Sequence, residues 1–203
     1  MMVKICGITR LHDAQAAVEH GASAIGFNFW PSSPRFIDPY RARTIARALP
    51  PFIATVGVFV NQPREYVNGV ASLLPLTVVQ LHGDESPAFA ASLSRPVLKA
   101  VTRPERSSDW PSNVMLLVDA HDPAKRGGTG HTADWRLASA LARERRIVLA
   151  GGLTPNNVAD AINAVQPWGI DVSSGVEEAP GIKDERRIAA LFAAIGRARV
   201  ATI

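Results

Sequence analysis

The sequence predicts an α/β fold in which eight parallel strands and their helices close into a single (β/α)8 barrel, the TIM barrel. Eight short apolar runs rich in β-branched and aromatic residues recur along the 203-residue chain. Most of them are followed by segments whose apolar residues are spaced three and four apart, as in amphipathic helices. Because strands that alternate with helices form parallel sheets, and eight such units close a barrel, this order predicts one barrel domain over residues 1–203.

The predicted strands are continuous apolar runs, which is typical of strands covered on both faces. The longest apolar stretch, Phe52–Val60, is expected to form a buried strand. In chain order, the eight predicted strands are Val3–Ile8, Ala24–Phe29, Ile53–Val60, Val78–Leu81, Pro96–Val101, Val114–Ala120, Arg146–Ala150 and Ile170–Val172. An open doubly wound sheet is the alternative, but it usually has fewer strands, and no GxGxxG fingerprint follows the first strand.

Helical periodicity predicts the segments that connect these strands. The clearest predicted helices are Arg41–Leu49, Arg64–Leu73, Asp134–Arg145, Asn156–Val165 and Asp184–Ala198. Thr154 and Pro155 have the pattern of an N-cap followed by proline at the first helical position, and Asp184 is a candidate cap for the last helix. The segment Arg103–Pro111 is too short and polar for a full helix, so the fifth crossover is predicted to be shortened.

The composition narrows the class of protein. Hydrophobic residues make up 47% and charged residues 20% of the chain, which is a globular composition. The single cysteine excludes an internal disulfide framework and a cysteine-rich zinc module. No apolar run approaches the roughly 18 residues of a membrane span, and the first residues lack the apolar region of a signal peptide. We therefore expect a cytoplasmic protein without a membrane partner.

The net charge of +4 comes largely from arginines scattered through the helix-like stretches, which indicates solvated helix faces. A nucleic-acid patch is the alternative, but no aromatic interleaving or known motif supports it, so we expect no nucleic-acid partner. A mildly positive field favours an anionic small molecule instead.

Two candidate catalytic side chains end predicted strands, where the active sites of barrel enzymes are built. Cys6 ends the first strand, and the two-residue period of a strand places Lys4 on the same face. A packing role is the alternative for this thiol, which needs a nearby cation such as Lys4 to act as a base near neutral pH. Asp119 ends the sixth strand, where partial desolvation lets a carboxyl group hold a proton; its alternatives are a helix cap or a loop ion pair.

Glycine and serine turns follow the seventh and eighth strands. Gly152 lets backbone amides approach a ligand without obstruction by a Cβ atom, and the turn Ser173–Gly175 is expected to open a short helix. Barrels of this kind commonly bind phosphate after these two strands, at the N-terminus of an extra helix. Two ordinary turns are the alternative, but their coincidence at both strand ends predicts a phosphorylated small-molecule ligand.

Three further features lie at the same predicted rim of the barrel. Arg35 ends a Ser-Ser-Pro-Arg turn after the second strand and suits a bidentate carboxylate contact, with an ordinary surface arginine as the alternative. His82 either faces the pocket or caps the fourth strand. The basic, glycine-rich loop of residues 121–133 is a candidate lid or a disordered connection, and its stretch Gly127–Gly130, which includes Gly128, is by itself a weak phosphate signal. No His, Asp or Glu pair has metal-ligand spacing, so no metal is expected.

A set of ordered motifs runs along nearly the whole chain. They are Lys4–Thr9, Gly26–Phe27 with Ser33–Arg35, Gly57–Asn61, Gln80–Glu85, Asp119, Gly127–Gly130 with Asp134–Trp135, Ala150–Leu153, and Asp171–Glu177 with Pro180–Asp184. In this combination they are highly specific, and the chain resembles the phosphoribosylanthranilate isomerase family. One departure is Ala133, where the family commonly has an aromatic residue before Asp-Trp, which concerns the packing of the loop rather than the chemistry.

The resemblance implies an isomerase that needs no cofactor. Its reaction is the Amadori rearrangement of N-(5-phosphoribosyl)anthranilate to 1-(2-carboxyphenylamino)-1-deoxyribulose 5-phosphate, the third step from chorismate to tryptophan. At the matching positions, Asp119 is implied as the general acid that opens the furanose ring, and Cys6 as the base that removes the C2′ proton. The implied substrate-binding residues are Arg35, His82, Gly128, Gly152, Asp171, Ser173, Ser174 and Gly175. The oligomeric state, monomer or homodimer, stays open.

Two other classes of protein stay as alternatives. Another phosphate-binding barrel enzyme, such as a sugar-phosphate epimerase, would more often carry a metal site or a carboxylate base than a cysteine. A non-catalytic binding protein would keep the phosphate motif without needing both Cys6 and Asp119. Loss of the fluorescence of phosphoribosylanthranilate in the presence of the purified protein distinguishes the three classes.

Overall fold

The computed structural model of the protein describes residues 1–101, 104–119 and 135–200. Eight strands form a closed barrel in the order of the chain, and the last strand pairs with the first. All eight neighbouring pairs are parallel. The barrel strands are β1 (Met2–Ile5), β2 (Ala24–Asn28), β3 (Ala54–Phe59), β4 (Val78–Leu81), β5 (Val97–Val101), β6 (Met115–Asp119), β7 (Ile147–Ala150) and β8 (Gly169–Val172). The predicted fold class is therefore confirmed.

Helices cover the outside of the barrel. They are α1 (Leu11–Glu19), α2 (Pro39–Arg47), α3 (Arg64–Leu73), α4 (Pro87–Ala91), α5 (Trp135–Glu144), α6 (Val158–Val165) and α7 (Glu185–Val200). Among the described residues between β5 and β6, the only helix is a short 3-10 helix, Pro104–Asp109, so the fifth crossover is shortened as predicted. Within the described ranges, no helix is both long and apolar enough to cross a membrane.

The observed helix starts agree with the sequence prediction in one case and differ from it in another, and two helices were not predicted. Asp184 caps α7, because its Oδ1 accepts the amides of Arg186 and Arg187 at 2.8 and 3.2 Å. The Thr154 cap was predicted wrongly, since α6 begins at Val158 after Asn157. The helices α1 and α4 were not among the clearest predictions, because α1 buries mainly alanines and α4 has only five residues.

Two structural features follow β8 before the last helix begins. A short 3-10 helix, Ser174–Val176, opens as predicted from the serine turn. An antiparallel hairpin of β9 (Glu177–Ala179) and β10 (Ile182–Lys183) comes next and was not predicted. The hairpin lies between the predicted phosphate turn and α7, so its side chains reach back towards the start of the barrel.

The barrel interior contains both apolar and polar side chains. The apolar interior cluster consists of Leu98, Ala100, Leu117, Val148 and Ala150, and a larger core fills the space between the barrel and its helices. Elsewhere in the barrel wall, β1 and β8 are in register at Lys4 and Asp171. Barrel closure therefore places chemically active side chains on the wall that leads to the C-terminal end.

Phe52 departs from the sequence prediction. It was expected to begin a buried strand, but β3 begins at Ala54 and the Phe52 side chain is 96% exposed. The amide of Ile53 donates to the carbonyl of Pro50 at 3.2 Å, so a tight turn lifts Phe52 off the barrel. This turn projects an aromatic ring from the N-terminal end of the barrel, opposite the predicted site.

Candidate active site

A pocket of about 350 Å³ opens at the C-terminal end of the barrel strands. Eight of the ten predicted site residues line it: Cys6, Arg35, His82, Asp119, Gly152, Asp171, Ser173 and Ser174. Gly175 does not line the pocket, and Gly128 lies outside the described residues. The structure therefore brings together residues from six barrel strands, as expected of a (β/α)8 active site.

Cys6 follows β1 directly, and its amide donates to the carbonyl of Val172 at 2.9 Å, which extends the ladder to β8. The glycine at position 26 of β2 makes room for its thiol. A Cβ atom there would lie 2.9 Å from the Cys6 sulfur and 3.0 Å from Lys4 Nζ. The thiol and the ammonium group of Lys4 therefore approach the same point inside the barrel.

Burial raises the pKa of the Cys6 thiol, and the positive charge of Lys4 offsets only part of this effect. For Lys4, burial alone would lower the pKa, but the negative charges of Asp171 and Cys6 outweigh it and raise the pKa. Lys4 therefore keeps its proton at neutral pH. As the sequence suggested, Lys4 is the cation beside the thiol, but burial has a larger effect on the pKa of the thiol than Lys4 has.

Asp171 holds this cation in place. Both of its carboxylate oxygens accept from Lys4 Nζ at 2.9 Å, and the pair is buried in the barrel wall. The pairing is a product of register, because β1 and β8 place the two residues side by side. A substrate-binding role of Asp171 stays a prediction; the contact that the structure provides is with Lys4.

Asp119 stands across the pocket at the end of β6, beside His82. Its Oδ2 lies 3.8 Å from His82 Nε2, too far for a hydrogen bond. The Nε2 of Gln80 lies 3.2 Å from the other ring nitrogen of His82. Burial lowers the pKa of His82 more than the charge of Asp119 raises it, so the imidazole is mostly neutral at pH 7.

Gln80 is a site residue that the sequence prediction did not include. It is buried in the pocket wall, and its Oε1 has no hydrogen-bond partner among the described residues. An unpaired buried acceptor calls for a donor such as a water molecule or a ligand hydroxyl group. The available signal was its position two residues before His82, which places both side chains on the inner face of β4.

The turns after β7 and β8 form one continuous wall. A Cβ atom on Gly175 would lie 1.9 Å from the carbonyl oxygen of Leu153, so the two turns pack directly on each other. Asn157 fixes the first turn, since its Nδ2 donates to the Gly152 carbonyl at 2.9 Å. Gly152 has a φ of +63°, and no atom lies within 4 Å of its Cβ position. This open space beside a left-handed glycine is the predicted phosphate position.

Arg35 lies in the pocket wall and already holds a carboxylate of the protein. Its Nε donates to Glu177 Oε1 at 2.9 Å and Oε2 at 3.1 Å, and its Nη2 donates to Oε2 at 2.6 Å. The sequence prediction did not include Glu177, which comes from β9. It lies 142 positions from Arg35, so no local pattern could indicate the pairing.

Metal binding receives no support from the described ranges. They contain no group of three or more His, Cys, Asp and Glu side chains that could hold a metal ion. The polar side chains that line the pocket carry a thiol, two carboxyl groups, an imidazole, a guanidinium group, two carboxamides and two hydroxyl groups. This set is suited to proton transfer on an anionic ligand.

Comparison with known proteins agrees with this chemistry. A family model described as N-(5'phosphoribosyl)anthranilate (PRA) isomerase matches residues 3–194. The N-(5'-phosphoribosyl)anthranilate isomerase of Pelobacter propionicus is 50% identical over 190 residues, which are 92% of this chain and 91% of that protein.

Two solved structures are similar over nearly the whole chain. One is a phosphoribosyl anthranilate isomerase in complex with reduced 1-(o-carboxyphenylamino)-1-deoxyribulose 5-phosphate, with a TM-score of 0.87, 42% identity and coverage of 97% of this chain and 99% of that chain. The other contains monomers generated from the dimeric isomerase of Thermotoga maritima, with a TM-score of 0.86, 39% identity and coverage of 97% and 99%.

Proposed function

We propose that Cys6 and Asp119 are the base and the acid of the reaction of the N-(5'-phosphoribosyl)anthranilate isomerase family. The chain belongs to this family. The enzyme converts N-(5'-phosphoribosyl)anthranilate to 1-(o-carboxyphenylamino)-1-deoxyribulose 5-phosphate in tryptophan biosynthesis. The observation that carries the assignment is that the thiol and the carboxyl group line one 350 Å³ pocket, next to the turn at Gly152.

The reaction needs a proton at one atom and a base at another. Asp119 donates a proton to the furanose ring oxygen while the bond from C1′ to that oxygen breaks, and the nitrogen lone pair forms a protonated Schiff base. The Cys6 thiolate then removes the proton from C2′, and the electron pair of that bond forms the C1′–C2′ double bond of an enolamine. Protonation of C1′ and loss of the proton from the C2′ hydroxyl group then give the ketone. Lys4 stabilises the thiolate, because it brings a positive charge to the sulfur.

The assay follows the fluorescence of phosphoribosylanthranilate with purified protein, and formation of the carboxyphenylamino ketose is confirmed by chromatography. We expect complete conversion without an added metal ion or cofactor. A protein that binds the substrate but leaves it intact would contradict the assignment.

The phosphate is proposed to bind at Gly152 and the Ser173–Gly175 turn. We expect Gly152→Leu to raise KM about 10- to 100-fold, the scale of a lost hydrogen bond to a charged group. The leucine side chain would fill the open space at Gly152, and the φ of +63° disfavours any residue with a Cβ atom. Steady-state kinetics measure the change.

The matched control is Gly69→Leu on α3, where a Cβ atom also meets no atom within 4 Å but the φ is not positive. It should leave KM unchanged. If Gly152→Leu gave the same KM as the control, the phosphate would bind elsewhere.

For assembly, we propose a homodimer that forms through the N-terminal ends of the two barrels. A largely apolar cavity of about 580 Å³ opens there, lined by the first residues of several strands, among them Met2, Ala24 and Ala54. The exposed Phe52 projects from the same end. In a two-fold arrangement, each Phe52 ring enters the cavity of the other subunit. The isomerase of Thermotoga maritima, 39% identical, is described as dimeric, which supports the proposal.

We expect Phe52→Glu to convert the dimer to a monomer, because the glutamate side chain loses the apolar contacts of the ring and must give up its water to enter a largely apolar cavity. Sedimentation velocity at micromolar concentration measures the mass. Tyr40→Glu is the control: Tyr40 is 68% exposed at the start of α2, towards the other end of the barrel, and should leave the dimer intact. A wild-type protein that sediments as a monomer would contradict the proposal.

We also propose a cytoplasmic location. The mechanism needs Cys6 as a free thiol, and a reducing compartment keeps it in that state.

A further inference from the structure

Glu177 is buried beside the pocket and forms the most extensive set of hydrogen bonds around it. Its side chain accepts three hydrogen bonds from Arg35, one from Lys183 Nζ at 2.8 Å and one from the amide of Gly181 at 3.2 Å. We propose that Glu177 is a positioning residue, which holds the guanidinium group of Arg35 so that its outer edge receives the carboxylate of the anthranilate ring. This inference rests on the proposed function and on the expectation from the sequence that Arg35 binds that carboxylate.

The hydrogen-bonding pattern leaves a complete edge of Arg35 for a second carboxylate. A guanidinium group has five N–H donors arranged along two edges that each match a carboxylate. Glu177 takes the edge formed by Nε and Nη2. No hydrogen bond from Arg35 Nη1 is found within the described part of the chain, so the edge formed by Nη1 and Nη2 is available. Holding one edge fixes the plane of the other.

The anchor itself is rigid. Glu177 is 6% exposed, and the two hydrogen bonds from Lys183 and Gly181 tie its carboxylate to the β9–β10 hairpin. The hairpin is fastened to α1, because the amide of Lys183 donates to Asp13 Oδ2 at 3.0 Å. The carboxylate of Glu177 is therefore held in place independently of Arg35. A positioning role requires such a fixed partner.

The cluster also joins the carboxylate position to the rest of the site. Lys183 Nζ donates to the carbonyl of Cys6 at 2.5 Å and to that of Ser173 at 3.3 Å. The stem of Arg35 lies against the backbone of Gly7, where a Cβ atom would be 2.6 Å from Arg35 Cδ. The positions for the ring carboxylate, the base and the phosphate turn are therefore set by one connected group of side chains.

Charge balance favours an anion at this point. The cluster contains two basic side chains, Arg35 and Lys183, and one carboxylate, Glu177. The pKa of Glu177 lies below the usual range, because hydrogen bonds from Arg35 and Lys183 outweigh the opposing effect of burial. Glu177 is therefore ionised at neutral pH. A second carboxylate on the free edge of Arg35 would complete two ion pairs, so this position suits a ligand that carries a carboxylate rather than its uncharged counterpart.

The test compares two stable ligands that differ by one carboxyl group. One is reduced 1-(o-carboxyphenylamino)-1-deoxyribulose 5-phosphate, and the other is its counterpart with an unsubstituted phenyl ring. We expect Glu177→Gln to weaken binding of the first about tenfold, the scale of one charge-assisted hydrogen bond, and to leave binding of the second unchanged. Calorimetry measures both dissociation constants. An equal loss for both ligands would show a purely structural role and overturn the inference.

Two further variants make the outcome decisive. Glu85→Gln is the matched control, since Glu85 forms a buried ion pair with Lys99 at 2.8 Å outside this pocket, and it should keep the preference for the carboxylated ligand. Arg35→Met, which removes the charge of the side chain, tests the carboxylate contact of Arg35 separately: a retained preference in that variant would show that Arg35 does not bind the carboxylate. A lost preference in Arg35→Met with a full preference in Glu177→Gln would overturn only the role of Glu177.

If Glu177→Gln does not fold, Glu177→Asp replaces it. The aspartate keeps the charge for Lys183 but withdraws the carboxylate by one methylene from Arg35. It should show the same selective loss for the carboxylated ligand, and an unchanged preference would contradict the inference.

Discussion

We expect Cys6→Ser to lower kcat about 10²- to 10⁴-fold, the range for loss of a general base, while KM changes little. Serine nearly keeps the size of the side chain, but its hydroxyl group is far too weak an acid to supply an anion near neutral pH. Only an interaction of the transition state is lost, so the effect belongs in kcat. Steady-state kinetics with phosphoribosylanthranilate measure both constants.

The same thiol sets an expected pH dependence. A base must be ionised, so kcat/KM should rise with pH through the pKa of the free enzyme's thiol. Burial places that pKa above the ordinary value of 9.0, because Lys4 compensates only in part. The profile should therefore still be rising at pH 9. A kcat/KM that is already level at pH 7 would contradict a buried Cys6 thiolate as the base.

Alkylation provides an independent readout of Cys6. Because the chain contains a single cysteine, iodoacetamide modifies this thiol alone, and its rate should follow the same pH dependence as kcat/KM. The reduced product should protect the thiol, since we expect it to occupy the pocket that Cys6 lines. A fully active Cys6→Ser enzyme would make the cysteine a packing residue and the mechanism wrong.

The residues at the rim of the pocket were predictable from sequence, because the strands of this barrel are adjacent in space in the same order as in the chain. Cys6, His82, Asp119 and Ser173 lie far apart in the chain, yet each comes at or just after the last residue of a strand. Once eight parallel strands close in order, all such residues share one rim. The location of the pocket follows from counting strands, without knowledge of any side-chain contact.

The partners of these side chains were less predictable. Lys4 and Asp171 are 167 positions apart, and only the register between β1 and β8 pairs them. Glu177 comes from a hairpin of five strand residues, too short for a periodic signal. The sequence thus predicted most of the titratable groups that line the pocket, whereas the partners of these groups depend on tertiary register.

Phe52 illustrates a different limit. Its apolar run continues without a break into β3, so hydrophobicity alone extends the strand to include it. In the structure, the turn that begins at Pro50 precedes β3 and leaves the Phe52 ring exposed. A local sequence pattern indicates that a residue is apolar, but it does not indicate which surface covers that residue. For Phe52, we propose that this surface belongs to a second copy of the chain.

Asp119→Asn should lower kcat about 10²- to 10⁴-fold, as expected for loss of a general acid. Asparagine keeps the shape of the side chain but has no proton to give to the ring oxygen. His82 is the candidate to replace it as the acid, since its Nε2 lies 3.8 Å from Asp119 Oδ2. Burial lowers the pKa of that imidazole, so at pH 7 it is mostly neutral and a poor acid, and we expect no compensation.

The assignment of Asp119 to ring opening has a sharper consequence than a loss of rate. The reduced product is already an open chain, so its binding requires no proton from Asp119. Asp119→Asn should therefore bind this ligand within a few-fold of the wild-type affinity while it fails to turn over phosphoribosylanthranilate. Asp160→Asn, an exposed change of the same kind on α6, should keep both properties. If Asp119→Asn retained nearly full kcat, the acid would be another group, and if it lost affinity for the open chain to the same degree as kcat, Asp119 would be a binding residue instead.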